Sequence, residues 1–227
     1  MECACFQKED KTISFFSGDS PEDPLIVLLT YEEEGRDILS LFSGSRHFHL
    51  LEISGIKWND ELSPWPMKGI YKHDPGYGGQ ADILLAFLDE SFFGEIFNKH
   101  GIRPSKCILT GYSLAGLFSL YAGTKTNLFD AVVSCSGSMW FDNFLEYMME
   151  HPLSERVQYV YLSLGDKEAE ARNPVIQTMR KNTESLFEHF KEVGVEADFV
   201  LHPGGHFADV TSRQASAIKT TLERMNK

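Results

Sequence analysis

The sequence predicts an α/β fold in which a mostly parallel central sheet carries helices on both faces. Two observations support this prediction: short apolar runs typical of buried strands recur along the chain, and segments with helical periodicity lie between them. Strands are predicted at residues 12–17, 25–31, 48–54, 107–110, 131–136, 157–164 and 197–202. Helices are predicted at residues 37–42, 80–98, 114–124, 144–150, 174–193 and 208–225.

Each predicted strand is a short run rich in Val, Ile, Leu, Phe or Tyr, which are residues that favour the extended backbone. The helices are predicted from apolar residues at spacings of three to four, as in the segment 174–193. Pro174 stands at the start of this segment and Gly194 just beyond its end, which are the usual positions of these residues around a helix.

Length and composition predict one domain over residues 1–227, and the gap from Ser136 to Phe144 is too short for a large cap domain. The chain has 227 residues, of which 42% are hydrophobic and 24% charged, and these values are ordinary for a globular protein. Residues 1–10 contain neither the basic region nor the apolar stretch of a signal peptide. We therefore expect no leader or membrane anchor, and a cytoplasmic location.

Charge and cysteine content exclude several classes of partner. The formal net charge is −12 and the basic residues are scattered, so neither nucleic acid nor a membrane is an expected partner. The four cysteines are too few for a disulfide framework, and Cys3 and Cys5 have no second pair at zinc-site spacing. No metal and no cofactor are expected. Assembly into a homo-oligomer stays an open alternative.

The most informative segment runs from Cys107 to Gly116, where an apolar run ends in Gly111-Tyr-Ser113-Leu-Ala115. This pattern is typical of a nucleophile elbow, a sharp strand-to-helix turn that exposes a serine hydroxyl and needs small residues two positions before and after it. Alanine at 115 departs from the usual glycine. The alternative is a Gly-Ser turn within an ordinary βα unit.

An activated serine needs a histidine as base and an acid that orients the histidine. Both types of residue follow later predicted strands. The strand ending near residue 164 leads into Asp166 and Glu168, and the strand ending at residue 202 leads into His206. In the α/β-hydrolase order the acid follows the second strand after the elbow and the histidine follows the last strand. Either Asp166 or Glu168 fits the acid position.

These segments together resemble the esterase group of the α/β-hydrolase superfamily that includes enterochelin-esterase-like and esterase D-like enzymes. The segments that carry the resemblance are residues 111–118, 136–140, 165–168 and 205–206, and they recur in the expected order. The resemblance implies Ser113 as nucleophile and His206 as general base. It favours Glu168, the fourth residue of Gly-x-x-acid, as the acid, with Asp166 as the alternative.

Acyl transfer at a serine also needs N–H donors for the developing oxyanion. In this fold one donor is the backbone N–H after the nucleophile, here Leu114, and the other comes from the loop after the third strand. We count the strand before Asp37 as the third, which places this loop at residues 31–35. Tyr31 is the candidate in that loop. Residues 32–34, all glutamate, replace the glycine-rich sequence of the family.

The segment 55–80 has no clear periodicity and is rich in proline and tryptophan, so we expect it to form a wall of the substrate site. The alternative is a packed surface loop that uses its tryptophans as anchors. The candidate substrate-binding residues are Trp58, Trp65, Tyr77, Met139 and Trp140.

The sequence thus predicts a serine esterase that cleaves a small-molecule carboxylic ester through an acyl-enzyme intermediate. Two alternatives stay open at this point. One is a hydrolase-like scaffold that binds a ligand or a protein without turnover, since a fold does not determine a function. The other is an acyltransferase that uses the same three residues.

Overall fold

A computed structural model describes residues 3–44 and 46–226 of the chain. Its strands are β1 (Ala4–Lys8), β2 (Lys11–Phe16), β3 (Leu25–Leu29), β4 (His49–Ser54), β5 (Pro66–Met67), β6 (Tyr77–Gly78), β7 (Cys107–Tyr112), β8 (Ala131–Cys135), β9 (Tyr159–Gly165) and β10 (Glu196–His202). Its α-helices are α1 (Gly35–Ser40), α2 (Trp58–Glu61), α3 (Ala81–Phe87), α4 (Glu90–His100), α5 (Leu114–Lys125), α6 (Phe144–Glu150), α7 (Pro174–Gln177), α8 (Met179–Glu192) and α9 (Val210–Met225). A 3-10 helix spans Glu168–Glu170.

Eight of the described strands form one sheet in the order β1-β2-β4-β3-β7-β8-β9-β10. In this sheet β1 pairs with β2, and β2 with β4, in antiparallel orientation. The remaining neighbours in the sheet order, from β4 and β3 to β9 and β10, are parallel. This arrangement confirms the predicted mostly parallel α/β sheet. β5 and β6 form a separate two-stranded pair.

The core occupies both faces of the sheet, as the alternation along β3 illustrates. Leu25, Val27 and Leu29 belong to a core cluster that also contains apolar residues of α3, α4, α5 and α8. Ile26 and Leu28 belong to the cluster on the other face, which is covered by α1 and α9. A parallel strand covered on both faces is expected to read as a continuous apolar run, as this one does.

The helices differ from prediction where a single helix was expected over residues 80–98. The structure has α3 and α4 instead, because the side chain of Asp89 accepts a hydrogen bond from the Phe92 N–H at 2.7 Å and caps a new helix. α4 ends at Gly101 in the left-handed conformation. The predicted helix 174–193 is likewise divided, into α7 and α8 around Thr178.

Three strands and one α-helix were not predicted. β1 lies at the sheet edge with alternating exposure, so its sequence lacks an apolar run. The segment 55–80 contains α2 and the two-residue strands β5 and β6, which are too short to show a period.

No helix among the described residues is long and apolar enough to cross a bilayer.

Candidate active site

Ser113 lies at a sharp turn between β7 and α5, with φ 58° and ψ −119°. A positive φ is costly for a residue with a side chain and persists only where the surroundings impose it. Here the Ser113 N–H donates to the Cys135 carbonyl at 2.9 Å. A Cβ on Gly111 would lie 2.5 Å from the backbone carbon and the methyl group of Ala115, so the turn requires glycine at 111. Ser113 therefore lies at a sharp strand-to-helix turn with an obligatory glycine two positions before it.

His206 meets this serine from the loop that follows β10. Its Nε2 lies 3.0 Å from Ser113 Oγ, and its Nδ1 lies 2.7 Å from Glu168 Oε2. An imidazole that donates from Nδ1 to a carboxylate presents Nε2 as an acceptor, which is the arrangement that can remove a proton from a hydroxyl. Serine, histidine and glutamate therefore form one hydrogen-bonded series.

Glu168 is only 4% exposed and lies at the start of the 3-10 helix that follows β9. Burial by itself would raise the pKa of Glu168, but the hydrogen bond and charge of His206 lower it below its ordinary value, helped by bonds from Ser136 and the Gly165 N–H. Oε1 accepts from Ser136 Oγ at 2.7 Å and from Gly165 N at 2.6 Å, which leaves Oε2 for the histidine.

Asp166, the alternative acid, points elsewhere. Its Oδ1 accepts a hydrogen bond from the Gly204 N–H at 2.8 Å, and its side chain is exposed. This bond joins the loop after β9 to the loop after β10, which carries His206. Of the two acids left open by the sequence, the structure brings Glu168 to His206 and gives Asp166 a role in joining the loops.

The two candidate oxyanion donors follow neighbouring strands of the sheet, β7 and β3. Leu114 is the first residue of α5, so its N–H has no acceptor within the helix. Tyr31 follows β3, which pairs with β7 so that Leu29 stands opposite Gly111. The Tyr31 side chain is 66% exposed and packs edge-on against Trp58, with ring centroids 5.4 Å apart.

The loop that carries Tyr31 is held by Glu52, a buried residue of β4 that sequence reasoning missed. Its Oε1 accepts from Thr30 Oγ1 at 3.1 Å and from the N–H groups of Glu34 and Gly35 at 2.6 and 2.7 Å. Burial raises the pKa of Glu52, and these bonds only partly oppose it. The one available signal was a lone acid within an apolar strand.

A cavity of about 620 Å³ opens beside Ser113 and His206. Two of the predicted substrate-binding residues, Tyr77 and Trp140, line this cavity. Its other apolar lining comes from residues that the sequence analysis did not select, and the rim carries two opposite charges, Lys167 and Glu170. The additional apolar residues are Ile70, Tyr71, Ala171, Ile176, Met179 and Phe207.

Trp58, Trp65 and Met139 are not among the residues that line this cavity. Trp65 donates from Nε1 to the Asp142 carbonyl at 3.0 Å and packs against Phe141 and other rings, so it anchors the segment 55–80. Met139 is buried in the core. The prediction that these three face a substrate does not match the cavity, because their side chains pack inward or against Tyr31.

Phe207 is the most accessible of the large apolar residues that line the cavity, with 87% of its surface exposed. Its ring stands edge-on to the His206 imidazole, with centroids 4.9 Å apart. Its position directly after His206 was the signal that could have identified it.

The sheet order and the serine at a strand-to-helix elbow define an α/β-hydrolase fold. The model of the family described as "Putative esterase" matches residues 55–209, and the chain belongs to this family. This confirms the resemblance found from the sequence motifs.

Among curated proteins, the uncharacterized protein YbbA of Bacillus subtilis is 28% identical over 142 residues, which are 61% of this chain and 57% of YbbA. The chain therefore matches little more than half the length of that relative. Two solved structures share the fold over nearly the whole chain. Siderophore hydrolase EstB from Aspergillus nidulans has a TM-score of 0.77 at 18% identity and covers 98% of this chain and 95% of its own. An IroE-like serine hydrolase from Shewanella oneidensis has a TM-score of 0.78 at 15% identity and covers 98% and 80%.

Proposed function

We propose that this protein is a serine esterase that cleaves a carboxylic ester through an acyl-enzyme intermediate. The observation that supports this most strongly is the continuous series Ser113 Oγ to His206 Nε2 at 3.0 Å and His206 Nδ1 to Glu168 Oε2 at 2.7 Å. Both distances are within hydrogen-bond reach, as a nucleophile, its base and the group that orients the base require.

In the first half of the reaction, Ser113 Oγ attacks the ester carbonyl carbon while His206 Nε2 takes the hydroxyl proton. The tetrahedral intermediate collapses, the bond to the leaving oxygen breaks, and His206 returns the proton to the alcohol. In the second half, water donates a proton to His206 and attacks the acyl-enzyme. The acid is released, and the serine regains its proton.

Glu168 stabilises the imidazolium that forms twice in each cycle and keeps the Nδ1 proton in place. Its lowered pKa supports this role, because the group is a carboxylate near neutral pH. The N–H groups of Leu114 and Tyr31 are the proposed donors to the oxyanion.

The cavity supports an ester with a bulky apolar part. Its wall contains Tyr77, Trp140, Ile176 and Met179, and such a surface favours rings and alkyl groups over a small acetyl group. Similarly folded proteins are named siderophore hydrolases, which makes siderophore-type esters a reasonable first set of natural substrates to test.

A fluorophosphonate probe tests the proposed nucleophile directly. We expect the wild-type protein to be labelled and Ser113→Ala to be unlabelled. Ser91→Ala is the matched control, since Ser91 is an exposed serine on α4 and its loss should leave labelling intact. Labelling of Ser113→Ala at the wild-type rate would refute the proposal.

A series of nitrophenyl esters with acyl groups of increasing size then measures the preference of the cavity. Product analysis with added alcohols or thiols separates hydrolysis from acyl transfer. Transfer to an added acceptor in preference to water would change the proposed reaction while leaving the nucleophile unchanged.

A further inference from the structure

Arg213, in the first turn of α9, is the largest fully buried side chain among the described residues, with 2% of its surface exposed. A buried guanidinium is rare unless it is paired and hydrogen-bonded, because removing its charge from water is costly. Here its Nη1 lies 3.3 Å from Glu168 Oε1. The cation thus contacts the carboxylate oxygen that does not face His206.

The same guanidinium reaches three other segments around the site. Nη2 donates to the Pro203 carbonyl at 2.8 Å, in the loop that leads to His206. Nη1 also lies 3.1 Å from the Tyr112 hydroxyl and 3.4 Å from Ser136 Oγ. The Tyr112 hydroxyl in turn donates to the His206 carbonyl at 2.6 Å. Burial raises the pKa of Tyr112 to about 12, so it remains a donor.

Gly165, the last residue of β9, packs closely against both the guanidinium and the loop after β10. A Cβ on Gly165 would lie 3.0 Å from both terminal nitrogens of Arg213 and 2.3 Å from the Gly204 carbonyl. The end of β9, the loop after β10 and the guanidinium are therefore packed against one another. Their relative positions cannot change without moving the arginine.

We propose that Arg213 is a positioning residue that orients the Glu168 carboxylate and fixes the position of the loop that carries His206; this rests on the proposed function of the site. By holding Oε1, it directs Oε2 toward Nδ1. By holding Pro203 and the Tyr112 hydroxyl, it fixes the backbone on either side of the imidazole. Arg213 does not touch the reacting atoms.

The test replaces Arg213 with methionine, which has similar length but no charge or donor. Kinetically, we expect kcat to fall roughly tenfold or more in Arg213→Met with little change in KM, because a small displacement of a base strongly affects the chemical step. Arg224→Met is the matched control. Arg224 lies on the same helix and is more exposed, and its Nε donates to Asp198 at 2.8 Å. The kcat of this control should stay within about twofold of the wild-type value.

Two further variants separate positioning from a general loss of stability. Arg213→Lys should give a kcat between those of the wild type and Arg213→Met, because an ammonium group keeps the charge but cannot reproduce the planar set of contacts. Tyr112→Phe removes the hydroxyl that joins Arg213 Nη1 to the His206 carbonyl and leaves the ion pair between Arg213 and Glu168 intact. It should lower kcat less than Arg213→Met does, and it serves as the test if Arg213→Met does not fold.

A spectroscopic readout makes the inference independent of any substrate. The hydrogen-bonded Nδ1–H of His206 should give a downfield proton resonance in NMR spectra of the wild type and Arg224→Met. We expect this resonance to shift or broaden in Arg213→Met. An unchanged resonance and an unchanged kcat in folded Arg213→Met would overturn the inference. Failure of the wild type to react with the fluorophosphonate probe would overturn the proposed function instead.

Discussion

Glu168 and Glu52 are both buried carboxylates beneath loops at the carboxyl edge of the sheet, yet their pKa values shift in opposite directions. Glu168 has a pKa below its ordinary value, whereas burial raises the pKa of Glu52. The difference lies in the partners. Glu168 faces an imidazole and a guanidinium, while the contacts of Glu52 Oε1 are two backbone N–H groups and a hydroxyl. Burial of an acid therefore does not by itself indicate a proton-transfer site.

The comparison implies that Glu168 acts through its charge and Glu52 through the position of its oxygen. An amide retains an acceptor oxygen but carries no charge. Substituting glutamine at each position should therefore affect the two sites very differently.

The largest effect is expected for Glu168→Gln. We expect kcat/KM to fall by roughly 10³-fold or more, because an amide cannot stabilise the imidazolium and can favour the wrong tautomer of His206. Steady-state hydrolysis of a nitrophenyl ester measures this change. Asp166→Asn is the matched control, two residues away, and should stay within about threefold of the wild type. The reverse ranking of these two variants would assign the acid to Asp166.

A smaller effect is expected at Glu52, and it should depend on the substitution. Glu52→Gln keeps an acceptor for the loop and should leave kcat/KM within about threefold of the wild type. Glu52→Ala leaves the N–H groups of Glu34 and Gly35 without their acceptor and should lower the free energy of unfolding by about 1–3 kcal/mol. Urea denaturation gives the free energy. A loss of activity in Glu52→Gln as large as that in Glu168→Gln would contradict the inference that Glu168 acts through its charge and Glu52 through the position of its oxygen.

The smallest effect concerns the dependence of stability on pH. Since the folded-state pKa of Glu168 lies below the ordinary 4.5, its contribution to stability is present above that pH and is lost as the pH falls through the folded value. The folded-state pKa of Glu52 lies above 4.5, so the folded protein binds this proton more tightly than the unfolded chain does. The resulting contribution to stability is present below pH 4.5 and is lost as the pH rises through the folded value.

Unfolding free energies between about pH 3 and pH 7 separate these two contributions. Glu168→Gln should reduce the slope of the unfolding free energy against pH below pH 4.5, relative to the wild type. Glu52→Gln should reduce this slope above pH 4.5. Identical pH profiles of the two variants would contradict the opposite shifts.

Site residues that directly follow a predicted strand could be identified from the sequence. The turn at Ser113 and His206 each follow an apolar strand, and local pattern suffices to find them, whereas it leaves Glu168 and Asp166 as alternatives for the acid. The strand order could be expected only as a class, and the break at Asp89 was missed because a cap within a helix-forming segment leaves the periodicity nearly intact.

Arg213 and Glu52 could not be recognised because their partners are distant in sequence. Arg213 meets Glu168 across 45 positions, and Glu52 meets Gly35 across 17. A single charged residue in an amphipathic helix has no local signature of burial, and the lone acid in the apolar strand β4 does not indicate which groups it binds. Similarly, nothing in the sequence separates Trp65, which anchors a loop, from Trp140, which lines the cavity.

The contact between Gly111 and Ala115 bears on how related chains should be searched for. A Cβ at 111 would lie 2.5 Å from the Ala115 backbone carbon and 2.6 Å from its oxygen, whatever side chain stands at 115. Position 111 is therefore restricted to glycine by main-chain atoms, whereas position 115 accepts a methyl group. A search pattern that demands glycine at both places would pass over this chain, and a pattern that demands it only before the serine would retain it.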